Sequence, residues 1–268
     1  MKRVETGAGL VAEELGGGGG ETLVLLHSSN TAGWMWGPQL EGLAGHHLLV
    51  PDLPGFGSSA GLRWGSVAQA ADRVAELIAE FAPGGRAHLV GLSLGSSVAL
   101  ELAASHPLLV RSVFAGSAAL APPSVFARVA SRVAIGFWES PAYWRGTGRS
   151  YGLAGEDLEL FVRTGSGIRK ETAEQIFREV REGMPAATLA RVQAPVLAVA
   201  GGRDAAFVRE ASLQRLGEAL PSARRAIAPG LRHHWSAESP ALFVEAVCAW
   251  VERGEVAGGL RAHAGAGA

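Results

Sequence analysis

The stretch Ala87-His88-Leu89-Val90-Gly91-Leu92-Ser93-Leu94-Gly95-Ser96-Ser97-Val98-Ala99-Leu100 decides the fold. It opens on a continuous apolar run too short for a helix and closes on a helical pattern from Leu94 to Ser105, so it reads as strand, sharp turn and helix. A serine on such a turn is held in a strained backbone conformation, and small residues two before and two after it let the chain close. Gly91 and Gly95 stand at those positions. The helix that follows offers free N–H groups and the positive end of its dipole beneath the serine. Ser93 is therefore the candidate nucleophile.

Working outward, Thr22 to Leu26, Leu48 to Val50, Val110 to Phe114 and Val196 to Ala200 are further short apolar runs bounded by turn residues, each expected to be a buried strand. Ser66 to Phe81 carries apolar residues at three- and four-residue spacing behind Ser66 as N-cap, and Pro240 to Val251 shows a similar pattern. Alternating buried strands and amphipathic helices predict an α/β fold, a mostly parallel sheet with helices on both faces. Val4 to Leu15 is expected to form an antiparallel hairpin at the sheet edge, and the run Gly16 to Gly20 a hairpin loop. The strand rhythm stops between Pro122 and Ala190, where helical segments rich in aromatics read as a cap over the site. Residues 1–121 and 191–253 form the expected core, 122–190 the cap and 254–268 a Gly- and Ala-rich tail expected to fray.

Composition narrows the function. The chain has 268 residues, 48% hydrophobic and 18% charged, which is too apolar for disorder and long enough for a large core. Twenty-four basic groups nearly cancel 25 acidic ones, which argues against nucleic acid as a partner. The single cysteine, Cys248, excludes an internal disulfide framework and a multi-cysteine zinc site. No apolar segment follows Met1-Lys2-Arg3, and the uncharged stretch Ser112 to Ala127 is too short to span a bilayer and contains Pro122-Pro123. A cytoplasmic protein with no membrane partner is expected.

A serine hydroxyl needs a base to take its proton and an acid to hold that base. On this kind of sheet the chain order is serine, acid, histidine. Asp204 follows the strand Val196 to Ala200, which places it on the same sheet edge as Ser93, whereas the end of the preceding strand, Val113-Phe114-Ala115-Gly116-Ser117, carries no carboxylate. The base comes from the loop ahead of the last helix, where His233 and His234 stand side by side and spacing does not separate them.

These motifs together resemble the α/β-hydrolase superfamily, in the branch of cofactor-free serine hydrolases with a helical cap. The residues that carry the resemblance are Leu25-Leu26-His27-Ser28-Ser29, Pro51-Asp52-Leu53-Pro54-Gly55-Phe56-Gly57-Ser58-Ser59, the Ser93 turn, Gly202-Arg203-Asp204, and the histidine segment running to Glu238, Pro240 and Phe243. The resemblance selects His233 over His234, because the family histidine stands five residues before the glutamate and seven before the proline. It also implies an oxyanion hole formed by the backbone N–H groups of Ser29 and Leu94, no cofactor and no metal. Ser28 departs from the family pattern, which has glycine there. Serine rather than aspartate at position 93 argues against the dehalogenase and epoxide hydrolase branches.

The expected reaction is cleavage of an uncharged, partly apolar carboxylic ester through an acyl-enzyme, with a small molecule as the partner and the oligomeric state left open. Trp34, Trp36, Trp138, Trp144 and Trp235 are candidate walls of the substrate pocket. The cap's nine basic and eight acidic residues give no reason to favour an anionic substrate. Lactone hydrolysis, carbon–carbon bond hydrolysis and perhydrolase or haloperoxidase chemistry use the same three residues and remain alternatives, as does a non-catalytic binding protein. Asp52 reads as a loop-shaping residue. His46, His47 and His106 lack metal-ligand spacing.

Overall fold

The computed structural model describes residues 1–16, 20–151 and 153–263. Among them, nine strands form one sheet: β1 (Lys2–Glu5), β2 (Val11–Leu15), β3 (Thr22–Leu26), β4 (His47–Pro51), β5 (Ala87–Leu92), β6 (Val110–Gly116), β7 (Val196–Gly201), β8 (Arg224–Ala228) and β9 (Arg261–Ala262). Their order is β1-β2-β4-β3-β5-β6-β7-β8-β9. The strands from β4 through β8 are parallel, and the antiparallel pairs β1–β2, β2–β4 and β8–β9 lie toward the two edges. Every apolar run singled out above lies within a strand. β3, β4, β5 and β7 are buried along their whole length, which is why they read as continuous apolar runs without alternation.

Helices α1 (Gly37–Leu40), α2 (Val67–Phe81) and α3 (Leu94–Ser105) precede the cap, and α9 (Leu213–Ala219), α10 (Trp235–Glu238) and α11 (Pro240–Arg253) follow it. Ser66 caps α2, its side-chain oxygen accepting from Gln69 N at 3.1 Å. Alternate residues of each strand serve opposite layers. Val24, Leu26 and Leu89 pack with Val74 of α2 and Val98 of α3, while Leu23, Leu25, Val90 and Leu92 pack with Phe243 and Val247 of α11. The cap is inserted between β6 and β7 as α4 (Val125–Gly136), α5 (Pro141–Ser150), α6 (Gly155–Gly167), α7 (Lys170–Glu182) and α8 (Ala186–Ala190).

Three expectations change. β1 and β2 do form the edge hairpin, but β4 lies between β2 and β3, so the strands on either side of the glycine run are not hairpin partners. Residues 17–19 lie outside the described residues. A Cβ on Gly16 would meet the carbonyl oxygen of His46 at 2.5 Å, and one on Gly20 would collide with that of Gly45. β8 escaped the sequence reading because its segment opens on Arg224-Arg225 and leaves only the short, alanine-rich run Ala226 to Ala228. The tail does not fray over residues 254–263: Ala257 and Leu260 are buried against the α11 layer and β9 pairs with β8. Residues 264–268 lie outside the described residues. No helix among the described residues is long and apolar enough to cross a membrane.

Candidate active site

The order of β4, β3 and β5 reverses the direction of chain progression at β3, and ligands of open α/β sheets bind at the carboxyl ends of strands beside such a point. β3 ends there in His27 to Ser29, β5 in Ser93, β7 in Asp204 and β8 in the loop to His233. Ser93 has φ 54° and ψ −111°, a conformation costly for any side chain and held only by its surroundings. Its N–H donates to Gly116 O at 2.8 Å, and Ser96 Oγ donates to the same carbonyl at 2.8 Å. A Cβ on Gly91 would lie 2.5 Å from the Gly95 backbone, and one on Gly95 would overlap Leu26 O and lie 2.8 Å from His27 O. The first turn of α3 is thus pressed onto the end of β3. Gly95→Ala is expected to lower unfolding free energy by about 3 kcal/mol or more. Chemical denaturation measures it, and a loss below about 1 kcal/mol would show that the turn yields.

Asp204 sits in the turn closed by its own N–H donating to Gly201 O at 3.0 Å. Its side chain is 3% exposed. His233 Nδ1 lies 3.0 Å from Asp204 Oδ1 and 3.1 Å from Oδ2, and Oδ1 also accepts from Ala205 N at 2.8 Å. Because an ionised carboxylate only accepts, Nδ1 carries the proton and Nε2 is left with its lone pair. The histidine loop is fixed from both sides: Arg203 N donates to Leu231 O at 2.8 Å, and Arg232 N donates to Glu238 Oε1 at 2.8 Å. Ser93 Oγ makes no hydrogen bond among the described residues, and a nucleophile's bond to its base commonly tightens only when substrate arrives. His234 is buried, makes no hydrogen bond to Asp204 among the described residues, and is pushed down to about 3 by burial and by the neighbouring His233 charge.

The loop after β3 is braced by a buried imidazole. Leu53 N–H donates to His27 Nε2 at 2.9 Å, so His27 Nδ1 carries the proton and donates to Ser28 O at 2.8 Å. Burial lowers the His27 pKa, opposed in part by Asp52, which keeps the ring neutral for this role. Asp52 clamps two loops, accepting from Gly33 N at 2.7 Å and Ser58 N at 2.6 Å. The positive φ of this loop falls on Asn30, at 68°, and not on Ser28, so serine at position 28 is accommodated without left-handed backbone. The N–H groups of Ser29 and Leu94 have no protein acceptor among the described residues. They follow strands that pair at Leu26 and Gly91.

The sequence model of the alpha/beta hydrolase family matches residues 23–246. The chain belongs to the alpha/beta hydrolase family. An AB hydrolase superfamily protein of Gibberella zeae is 28% identical over 90% of this chain and 84% of its own length. A pimeloyl-[acyl-carrier protein] methyl ester esterase of Aeromonas hydrophila is 29% identical over 86% of this chain and 95% of its own length. Among solved structures, a hydrolase from Pseudomonas aeruginosa PA01 superposes with a TM-score of 0.77 at 24% identity, covering 93% of this chain and 97% of that one. That likeness concerns the fold, including the helical cap.

The tryptophans of this hydrolase divide. Trp36 and Trp235 are buried beneath the sheet with rings 5.4 Å and 4.7 Å from Phe243, so they face α11 and not the site. Trp138 and Trp144 form the core of the cap, 4.5 Å apart edge to face, with Trp144 Nε1 donating to Trp138 O and Trp138 Nε1 to Ile168 O. Their burial leaves no free face for a substrate. Trp34 alone remains beside the site: its Nε1 donates to Thr164 Oγ1 of α6 at 3.1 Å, and it lines a cavity of about 30 Å³ with His234, Met35 and Leu153.

Tyr151, at the end of α5, is a cap aromatic that no local sequence pattern ties to the site. Its ring lies 4.7 Å from that of His234 and 6.4 Å from that of His233. Burial, with Tyr143 and Asp204 nearby, pushes its phenol up to about 12, so it stays protonated. On the other side of Leu94 a cavity of about 310 Å³ opens between α3 and α7, lined by Leu94, Val67, Ile176, Val180 and Met184 together with Glu101 and Glu179. Burial raises both carboxyls. Glu179 also ties the cap to the core, accepting from Val67 N at 2.9 Å and Trp64 Nε1 at 3.2 Å. Far from this edge, the His46, Cys248 and Glu252 ligand atoms lie within 4.8 Å of one another, a grouping that sequence spacing does not reveal because α11 meets the loop before β4 only in the fold.

Proposed function

We propose that the protein is a serine hydrolase of uncharged, partly apolar carboxylic esters, with Ser93 as nucleophile, His233 as general base and acid, and Asp204 as the group that orients and stabilises the imidazolium. The observation that carries this reading is the two-atom contact of His233 Nδ1 with the buried Asp204 carboxylate, on the strand edge that also bears the strained Ser93 turn. His233 Nε2 takes the Ser93 proton as Oγ attacks the carbonyl carbon. The oxyanion so formed is met by the N–H groups of Ser29 and Leu94 and by the N-terminus of α3. His233 returns the proton to the leaving alcohol, and water then repeats the sequence in reverse to release the acid.

The apolar part of the cavity beside Leu94 supports an acyl chain of medium length, and on its wall Glu101, Glu179 and Glu182 outnumber Arg215, which disfavours an anionic tail. The methyl ester acted on by the Aeromonas hydrophila relative fits a small leaving alcohol and a longer acyl arm. A series of p-nitrophenyl esters tests the reading. Rates are expected to rise from acetate to a maximum between butyrate and octanoate and to fall for longer chains that overfill the cavity. A folded protein that a fluorophosphonate labels but that leaves every ester of the series intact would shift the assignment to lactones or diketones.

A further inference from the structure

The cap's near-neutral charge conceals a division. Residues 122–150 carry four basic groups, Arg128, Arg132, Arg145 and Arg149, against Glu139, a net of +3, whereas residues 151–190 carry five basic and seven acidic groups, a net of −2. Within the basic half, α4 contributes nothing to the buried core. Its Val125, Phe126, Val129 and Val133, with Phe137 just past its end, are exposed, Phe126 by 84% and Phe137 by 58%. At 100° per residue these five side chains fall within an arc of about 120°. Arg132 is exposed at the rim of that arc beside Val125, and no carboxylate occurs anywhere between Glu101 and Glu139.

A contiguous apolar row of this kind marks an interaction site, since scattered single residues are the norm on a free surface. We propose that α4 docks the enzyme on an anionic lipid surface. An apolar stripe with arginine at its edge suits a helix lying in the interface plane, where the side chains enter the acyl boundary and the guanidinium reaches up to phosphate. A second copy of the chain is a poorer occupant, because pairing α4 with itself brings arginines together and supplies no carboxylate to answer them. The expectation of no membrane partner rested on the want of a spanning segment. An interfacial stripe needs none.

The test is cosedimentation of the whole protein with large unilamellar vesicles of phosphatidylcholine, alone or mixed with phosphatidylglycerol. Binding is expected only to the mixed vesicles and is expected to weaken with salt. Arg132→Gln should weaken it roughly fivefold. Phe126→Asp should abolish sedimentation while the thermal melt and the hydrolysis of a soluble ester stay as in the wild type. Wild type that ignores both vesicle types, or Phe126→Asp that binds as wild type does, overturns the proposal. So does a dimer that Phe126→Asp dissolves, or a complex with an acyl carrier protein in the absence of vesicle binding. Sedimentation needs no turnover, so its result is independent of the ester chemistry proposed above.

Discussion

Ser93→Ala is expected to lower kcat on p-nitrophenyl esters by about 10⁶-fold and to abolish fluorophosphonate labelling. The substitution removes the atom proposed to form the acyl-enzyme, yet it leaves the turn's small-residue packing intact. The backbone at position 93 is held by Gly116 O, by the contact between Gly91 and Gly95, and by the end of β3, none of which involves the hydroxyl. Stability should therefore change little. What survives is the modest rate supplied by binding and the oxyanion hole. Steady-state kinetics and probe labelling on the same preparation measure both effects, and a variant that retains even a hundredth of wild-type kcat would remove Ser93 from the mechanism.

His233→Gln should cost about as much as Ser93→Ala, and the double variant should be no worse than either, since in the proposed mechanism the two groups act as a unit. His234→Gln should reduce kcat by no more than about tenfold, through altered packing against Tyr151. The contrast rests on position. His233 turns Nδ1 onto Asp204 and keeps part of its ring accessible, 22% by side chain, whereas His234 points into protein beneath Tyr151. The pH profile gives a second readout. With its pKa near 3, His234 is neutral throughout the working range, so its replacement should leave the inflection of kcat/KM against pH where wild type has it. A large loss in His234→Gln with an active His233→Gln would show that the neighbouring imidazole is the base.

Much of the core was legible because buried parallel strands and amphipathic helices write different periods into the chain. Thr22–Leu26 was read to the residue, and α3 likewise. β8 and β9 were not legible, since a strand that opens on two arginines and a two-residue edge strand carry little apolar signature and owe their pairing to β7 and the packing of α11. The tryptophans show the opposite failure. Their number near the motifs suggested a pocket, but a large indole satisfies the core as readily as it lines a cleft, and only packing against Phe243 or within the cap reveals which.

By itself, the sequence determined the strand-turn-helix around Ser93 and the existence of an inserted helical segment. Each is local, encoded by glycine spacing, apolar period and turn residues within a few positions of one another. The tertiary structure alone decided what depends on residues distant in sequence: that His27 braces the loop at Leu53, that Tyr151 covers the histidines, and that α4 leaves its apolar face outward, while the contact of Asp204 with His233 agrees with the histidine that the resemblance selects. Such pairings arise from how the sheet edge and the cap are folded together, and no local pattern specifies them.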